Sequence, residues 1–136
     1  MPLTLDECRT VMAATLAHAR GKGWKVAVAV VDEGGLLQAL ERMEGAFPLS
    51  SQIAEAKACG TAVWHKEGEA LAQLQSERPA FYAQVDRQVR LPMMPGQGAA
   101  LIRRGGQILG AVGVSGALSH EDFECAKAGL AALPAE

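Results

Sequence analysis

Residues 107–116 read QILGAVGVSG, and the fold turns on whether this stretch is a loop or a strand. Gly110, Gly113 and Gly116 recur at every third position, as they would in a loop that cradles phosphate, yet Val112 and Val114 belong to a strand. A Walker loop needs G-x-x-x-x-G-K-[ST], and a dinucleotide fold needs G-x-G-x-x-G between its first strand and the next helix. Neither is present. The stretch therefore reads as a strand. Glycine inside a strand gives up side-chain packing, so Gly110 and Gly113 mark a bulge or a surface lying close against the backbone.

Upstream lies ALIRR (100–104), followed by Gly105-Gly106, a two-residue turn suited to positive φ. These runs form one hairpin. A second is encoded by the β-branched run KVAVAVVD (25–32), the turn DEGG (32–35) and LLQALERM (36–43). Ahead of it, Thr4 caps a helix to about Ala19, with Asp6 and Glu7 in its first turn and Leu5, Cys8, Met12, Leu16 and Ala19 along one face. Between the hairpins, residues 51–74 read as one alanine-rich helix, with Gly60 and Gly68 as points of bending or breakage. Residues 76–98 hold Pro79, Pro92, Pro95, Gly96 and Gly98 around a short helix at 80–89, an irregular segment of the kind that carries function. Ser119 and Asp122 resemble a capping box for a last amphipathic helix with Phe123, Ala126, Leu130 and Leu133 on its apolar face. The order helix, hairpin, helices, hairpin, helix predicts an α+β fold, an antiparallel sheet covered by helices in one domain over 1–136.

Composition narrows the function classes. A net charge of −2 with 49% hydrophobic residues fits a globular chain without the basic excess of a nucleic-acid binder. The first residues have no basic start or continuous apolar stretch, and no segment approaches a membrane span, so a cytoplasmic protein is expected. Cys8, Cys59 and Cys125 stand far apart without a C-x-x-C and read as small core residues.

Several side chains are chemical candidates. His18 borders the apolar face of the first helix, where a neutral imidazole suits a haem iron, or a protonated one suits the helix C-terminus. His65 and His120 read as surface residues, and SHEDFEC lacks the second histidine of H-E-x-x-H. Lys57, in a helix of small residues, raises a Schiff-base role, against the simpler expectation that it snorkels to solvent. Arg42 suits a carboxylate of protein or ligand. Amides near Ser115–Ser119 stand where a helix N-terminus would attract an anion.

Two long segments, residues 28–62 and 95–130, together resemble the GlcG/HbpS family of haem-binding proteins. The matching motifs are V-V-D-x-x-G, R-M-x-G-A, the K-A helix, a P-G loop with a downstream G-G turn, and G-A-V-G-V-S-G before an acidic helix. The resemblance implies a profilin-like antiparallel sheet of about five strands flanked by helices, assembly into dimers or larger homo-oligomers, and a haem cofactor. A related domain ends some corrinoid adenosyltransferases. By the same resemblance, a histidine on the first helix ligates haem iron, which assigns that role to His18. The sequence departs from the family at Pro95-Gly96-Gln97-Gly98, at Ala117, and at His120-Glu121-Asp122.

The expected function is haem or tetrapyrrole binding in haem handling or redox sensing. Met94, Gly96, Gly98, Gly113, Ser115 and Gly116 join His18 around the ligand, and Met93 or Met94 is a soft second ligand or apolar packing. The alternative is a cofactor-independent enzyme acting on an organic acid in a catabolic pathway. There Arg42 or Arg104 holds a carboxylate, Glu121 or Asp122 moves a proton, and the Ser115 and Gly116 amides stabilise an oxyanion. A third reading is a structural or regulatory oligomer whose glycine strand packs on a neighbouring subunit.

Overall fold

A computed structural model describes residues 2–134; the chain ends of the domain expected over 1–136 lie outside the described residues. Helix α1 (Leu5–Lys22) begins at Thr4, whose hydroxyl accepts from the Glu7 amide while the Glu7 carboxylate accepts from the Thr4 amide, at 3.0 and 2.9 Å. It ends at Gly23. Strands β1 (Ala27–Asp32) and β2 (Leu37–Arg42) form the first hairpin, with Asp32 Oδ1 accepting from the Gly34 and Leu36 amides across the turn. After α2 (Ser50–Trp64), α3 (Gly68–Glu77) and α4 (Pro79–Asp86), strands β3 (Ala99–Arg104) and β4 (Gln107–Ser115) form the second hairpin through Gly105-Gly106, and α5 (Ser119–Leu130) follows.

The α+β class and antiparallel sheet are as expected, with a correction in strand number. Among the described residues the sheet has four strands in the order β2-β1-β4-β3, where about five were expected. The two hairpins account for all of them. Residues 51–74 are two helices, because the α2 path stops at His65 in a left-handed conformation, φ 57°, while Gly60 stays helical inside α2. Of the alternatives open for Gly110 and Gly113, a bulge lies beside Gly110: the register shifts between Ile102 and Arg103, leaving Leu109 opposite no partner.

The two faces of the sheet differ in side-chain size. In the β1–β4 register, Ala27, Ala29 and Val31 lie opposite Ser115, Gly113 and Ala111, while Val28 and Val30 lie opposite Val114 and Val112. The valine face meets Cys8, Val11 and Met12 of α1 and Cys125 and Ala126 of α5 in the main core. The small-residue face meets Ala54, Ala58 and Ala62 of α2. A methyl group at Gly113 would drive into the Ala54 carbonyl oxygen and stand 2.8 Å from the Ala58 amide nitrogen. The surface approaching this strand is thus the chain's own helix.

That approach brings Lys57 to the end of β4. Its ammonium donates to Asp122 Oδ2 and to the Val114 carbonyl, each at 3.1 Å, and both side chains are buried. Lys57 therefore does not snorkel to solvent, because its helix lies flat on the sheet and its stem runs inward. The pair links α2, on one face, to α5, on the other. Gly98 makes room for it: with φ 131°, it would place a Cβ 2.6 Å from Lys57 Nζ. At the start of α5 the Ala117 amide donates to Asp122 Oδ1 at 2.9 Å and the Leu118 amide to Glu121 Oε1 at 3.0 Å. Leu118, not Ser119, is the N-cap, since Asp122 is drawn inward to the ammonium.

Three stability outcomes follow. Lys57→Met leaves a buried carboxylate uncompensated and lowers stability in urea unfolding by about 3–5 kcal/mol; adding Asp122→Asn recovers part of the loss. Gly113→Ala, which forces α2 away from β4, costs about 1–3 kcal/mol by the same measurement. Glu7, on which the Thr4 amide and Arg104 converge, has its carboxyl held below the ordinary glutamate value, first by the backbone hydrogen bond and then by Arg104. A lowered folded value means that its contribution is present above the unfolded pKa of about 4.3 and disappears as pH falls through the folded one. Glu7→Gln therefore narrows its stability deficit against the wild type as unfolding is followed from pH 6 into that acid range.

Candidate functional site

An apolar trough runs around the end of the sheet where β4 stops. One hollow of about 480 Å³ lies between α2 and the segment before β3, walled by Leu49, Ile53, Leu91 and Met94. It adjoins a second of about 490 Å³, which shares Leu49 and Ile53 and adds Phe47, Ser115 and Gly116. A third, of about 530 Å³, shares Phe47 and Gly116 and reaches Trp24, Leu118 and Glu121. Each is in the size range of small-molecule sites. The walls are unusually open: Phe47 is 73%, Leu118 62% and Leu49 58% exposed.

His18 lines none of these three hollows and meets the third only through Trp24. Its ring meets Trp24 edge-on at 6.3 Å, and Trp24 is part of the hollow's wall. Nε2 lies 2.6 Å from Glu124 Oε2, a bond between α1 and α5. The hydrogen bond from His18 holds the Glu124 carboxyl below its ordinary value, with Lys22, 3.8 Å away, acting in the same direction.

The site residues expected from sequence are distributed along this trough and beneath it. Met94 is 39% exposed at the end opposite His18, so the two do not share one pocket wall. The cause is the route of the chain: residues 91–98 pack on α2, with the Met94 amide donating to the Ala56 carbonyl at 3.3 Å, while α1 packs on the other sheet face. Gly96 adjoins Gly68 at the start of α3. Gly98 and Gly113 are buried under Lys57 and α2, where they shape the trough from below. Ser115 and Gly116 form its floor.

The groups named for an organic-acid enzyme are otherwise engaged. Arg42 donates to the Ala46 carbonyl at 3.1 Å and Arg104 pairs with Glu7, while Glu121 is a helix-capping carboxylate. Asp122 is 2% exposed, and burial pushes its carboxyl above the ordinary value against the pull of Lys57 and the Ala117 amide. The same two carboxylates accept from the Ala117 and Leu118 amides, so the chain itself supplies the negative charge expected of an anion at the start of α5. Cys8, Cys59 and Cys125 are buried free thiols, as expected, with burial raising each and Cys125 to about 12.

Sequence reasoning missed the partners of both key side chains. Glu124 of the last helix was not singled out, although it lies about one turn from Glu121 and faces α1. The exposed Phe47-Pro48-Leu49 run before α2 was a readable signal, since three consecutive exposed apolar residues in a connection have no core to serve.

A family model described as haem degrading protein, HbpS-like, matches residues 3–131. Protein GlcG of Escherichia coli K12 is 34% identical over 115 residues, covering 83% of this chain and 81% of that protein. HbpS of Streptomyces reticuli, in a double-mutant crystal structure, superposes with a TM-score of 0.88 at 28% identity, over 99% of this chain and 89% of that one. A PduOC:haem complex has the same fold, with a TM-score of 0.87 at 22% identity, over 98% of this chain and 96% of that one. With the family model spanning nearly the whole sequence and the fold shared throughout, the chain belongs to the HbpS-like family of haem-degrading proteins.

Proposed function

We propose that this protein is a homo-oligomeric haem-binding protein of the cytoplasm, acting in haem handling or redox sensing, with His18 as the axial ligand. The observation that carries the reading is an imidazole in edge-on contact with Trp24, which walls an open apolar hollow together with Phe47 and Leu118. Membership of a haem-degrading family and the fold shared with a haem complex support haem as the ligand. Three buried, unpaired thiols suit a reducing compartment.

The donor set fits. Among the described residues no group of three or more His, Cys, Asp or Glu side chains is placed to hold a bare cation. A single imidazole suits a metal that brings its other ligands in a macrocycle. Haem bound here would supply a redox-active iron. The chain's residues present an apolar wall of Trp24, Phe47 and Leu118 that would keep water from one face of a flat group. Gly116, without a side chain, leaves the floor of the trough open.

Oligomerisation follows from the same wall. One chain covers one face of a flat ligand and leaves Phe47, Leu49 and Leu118 in water. A second copy laid along the trough buries all three and closes the other face.

Haemin titrated into the purified protein is expected to give a shifted Soret band, and His18→Ala to lose it. No shifted band, or unchanged binding by His18→Ala, overturns the reading. Phe47→Asp, which places a charge on the exposed wall, is expected to lower the mass measured by light scattering toward that of one chain and to weaken haem uptake.

A further inference from the structure

We infer that the middle hollow of the trough is a binding site for an apolar monocarboxylate, with the Ser115 hydroxyl as its hydrogen-bond donor and Lys25 as its counter-charge. The site lies apart from His18, and the inference does not rest on the haem reading. Ser115 ends β4 on the small-residue face, opposite Ala27, and is 7% exposed on the floor of the hollow of about 490 Å³. Among the described residues the indole nitrogen of Trp64 is the one side-chain polar atom both sealed and unpaired. The Ser115 hydroxyl makes no hydrogen bond to a described residue either, so it opens on the hollow. Polar groups set this deeply are normally paired, and a donor left open on an apolar floor marks the place of a ligand oxygen. The neighbouring hydroxyl, that of Ser50, is by contrast engaged with the Phe47 carbonyl at 2.5 Å.

The rest of the lining decides the class of ligand. Phe47, Pro48, Leu49 and Ile53 offer the hollow no charge, and the hollows on either side add Glu55, Glu121 and Lys25. Both carboxylates are engaged: Glu55 pairs with Arg90 at 3.3 Å, and Glu121 accepts from the Leu118 amide at 3.0 Å. Lys25 has no carboxylate partner among the described residues. Its stem runs past Gly45, 3.6 Å from where a Cβ there would stand, on the wall of the hollow that shares Phe47 and Gly116 with the middle one. A hydroxyl donor on the floor and an unpaired ammonium beside it both favour a carboxylate head, since a hydrogen bond to an ionised acceptor is about twice as strong as a neutral one. The apolar body of the ligand then lies on Leu49 and Ile53, continuous with Leu91 and Met94 of the next hollow.

The test titrates octanoate, and octan-1-ol as its uncharged counterpart, into the full chain and follows backbone amide signals by NMR. Octanoate is expected to give saturable shifts at Leu49, Ile53, Ser115 and Gly116, and octan-1-ol to bind about 10-fold more weakly. Ser115→Ala is expected to weaken octanoate about 10-fold, the scale of one hydrogen bond to a charged group. Lys25→Met keeps the stem over Gly45, removes the charge from an exposed position and is expected to weaken octanoate about 3-fold and flatten the salt dependence of binding. His18→Ala is expected to bind octanoate as the wild type does, whatever it does to haem. No saturable shift, or shifts confined to Leu91 and Met94, overturns the site. Equal affinity for octan-1-ol, or octanoate binding unchanged by both Ser115→Ala and Lys25→Met, overturns the carboxylate.

Discussion

Helix α2 lies directly on the backbone of β4 because the residues beneath it are almost without side chains. Ala27, Ala29, Ala111 and Gly113 form that bed, and Ala54, Ala58 and Ala62 rest on it. Small residues on both surfaces remove the layer of interdigitating side chains that normally separates a helix from a sheet, so backbone approaches backbone. The close approach sets the direction of Lys57. From a helix held further away, its stem would be free to reach solvent; from here it runs to the end of β4, where the Val114 carbonyl and Asp122 receive it.

The consequences extend to the site. Because Lys57 draws Asp122 inward, the start of α5 is fixed with its Ala117 and Leu118 amides satisfied by the chain's own carboxylates. Glu124, two residues further on, is then presented to α1 and to His18. In the connection before α2, Phe47 and Leu49 stand on the outside as the wall of the trough. One packing constraint thus orders a buried ion pair and a helix start. A buried pair of this kind adds little net stability, since desolvation offsets attraction, but it penalises any arrangement in which one partner is left alone.

Much of the fold was legible because it depends on local signals. The two hairpins are announced by DEGG and by Gly105-Gly106 between β-branched runs, and the start of α1 by Thr4 and Glu7. Gly110 and Gly113 were together readable as a bulge or a close approach, though not which applied to either or what approached. The alternation of small and large residues in both β1 and β4 was also present in the sequence, and with the register in hand it distinguishes the two helical layers. The site was less legible, since it joins residues far apart in the chain: His18 with Glu124, and Lys57 with Asp122.

The sequence by itself determined the class of fold, the hairpins and the helix caps of α1, because each is set by neighbours within a few residues. Only the tertiary structure decided that Lys57 is buried, that Asp122 is its partner, that Met94 and His18 stand at opposite ends of one trough, and that Glu124 holds the imidazole. These are outcomes of which surface each helix covers and how closely. That is fixed by the register of one strand on another, and no local run of residues contains it.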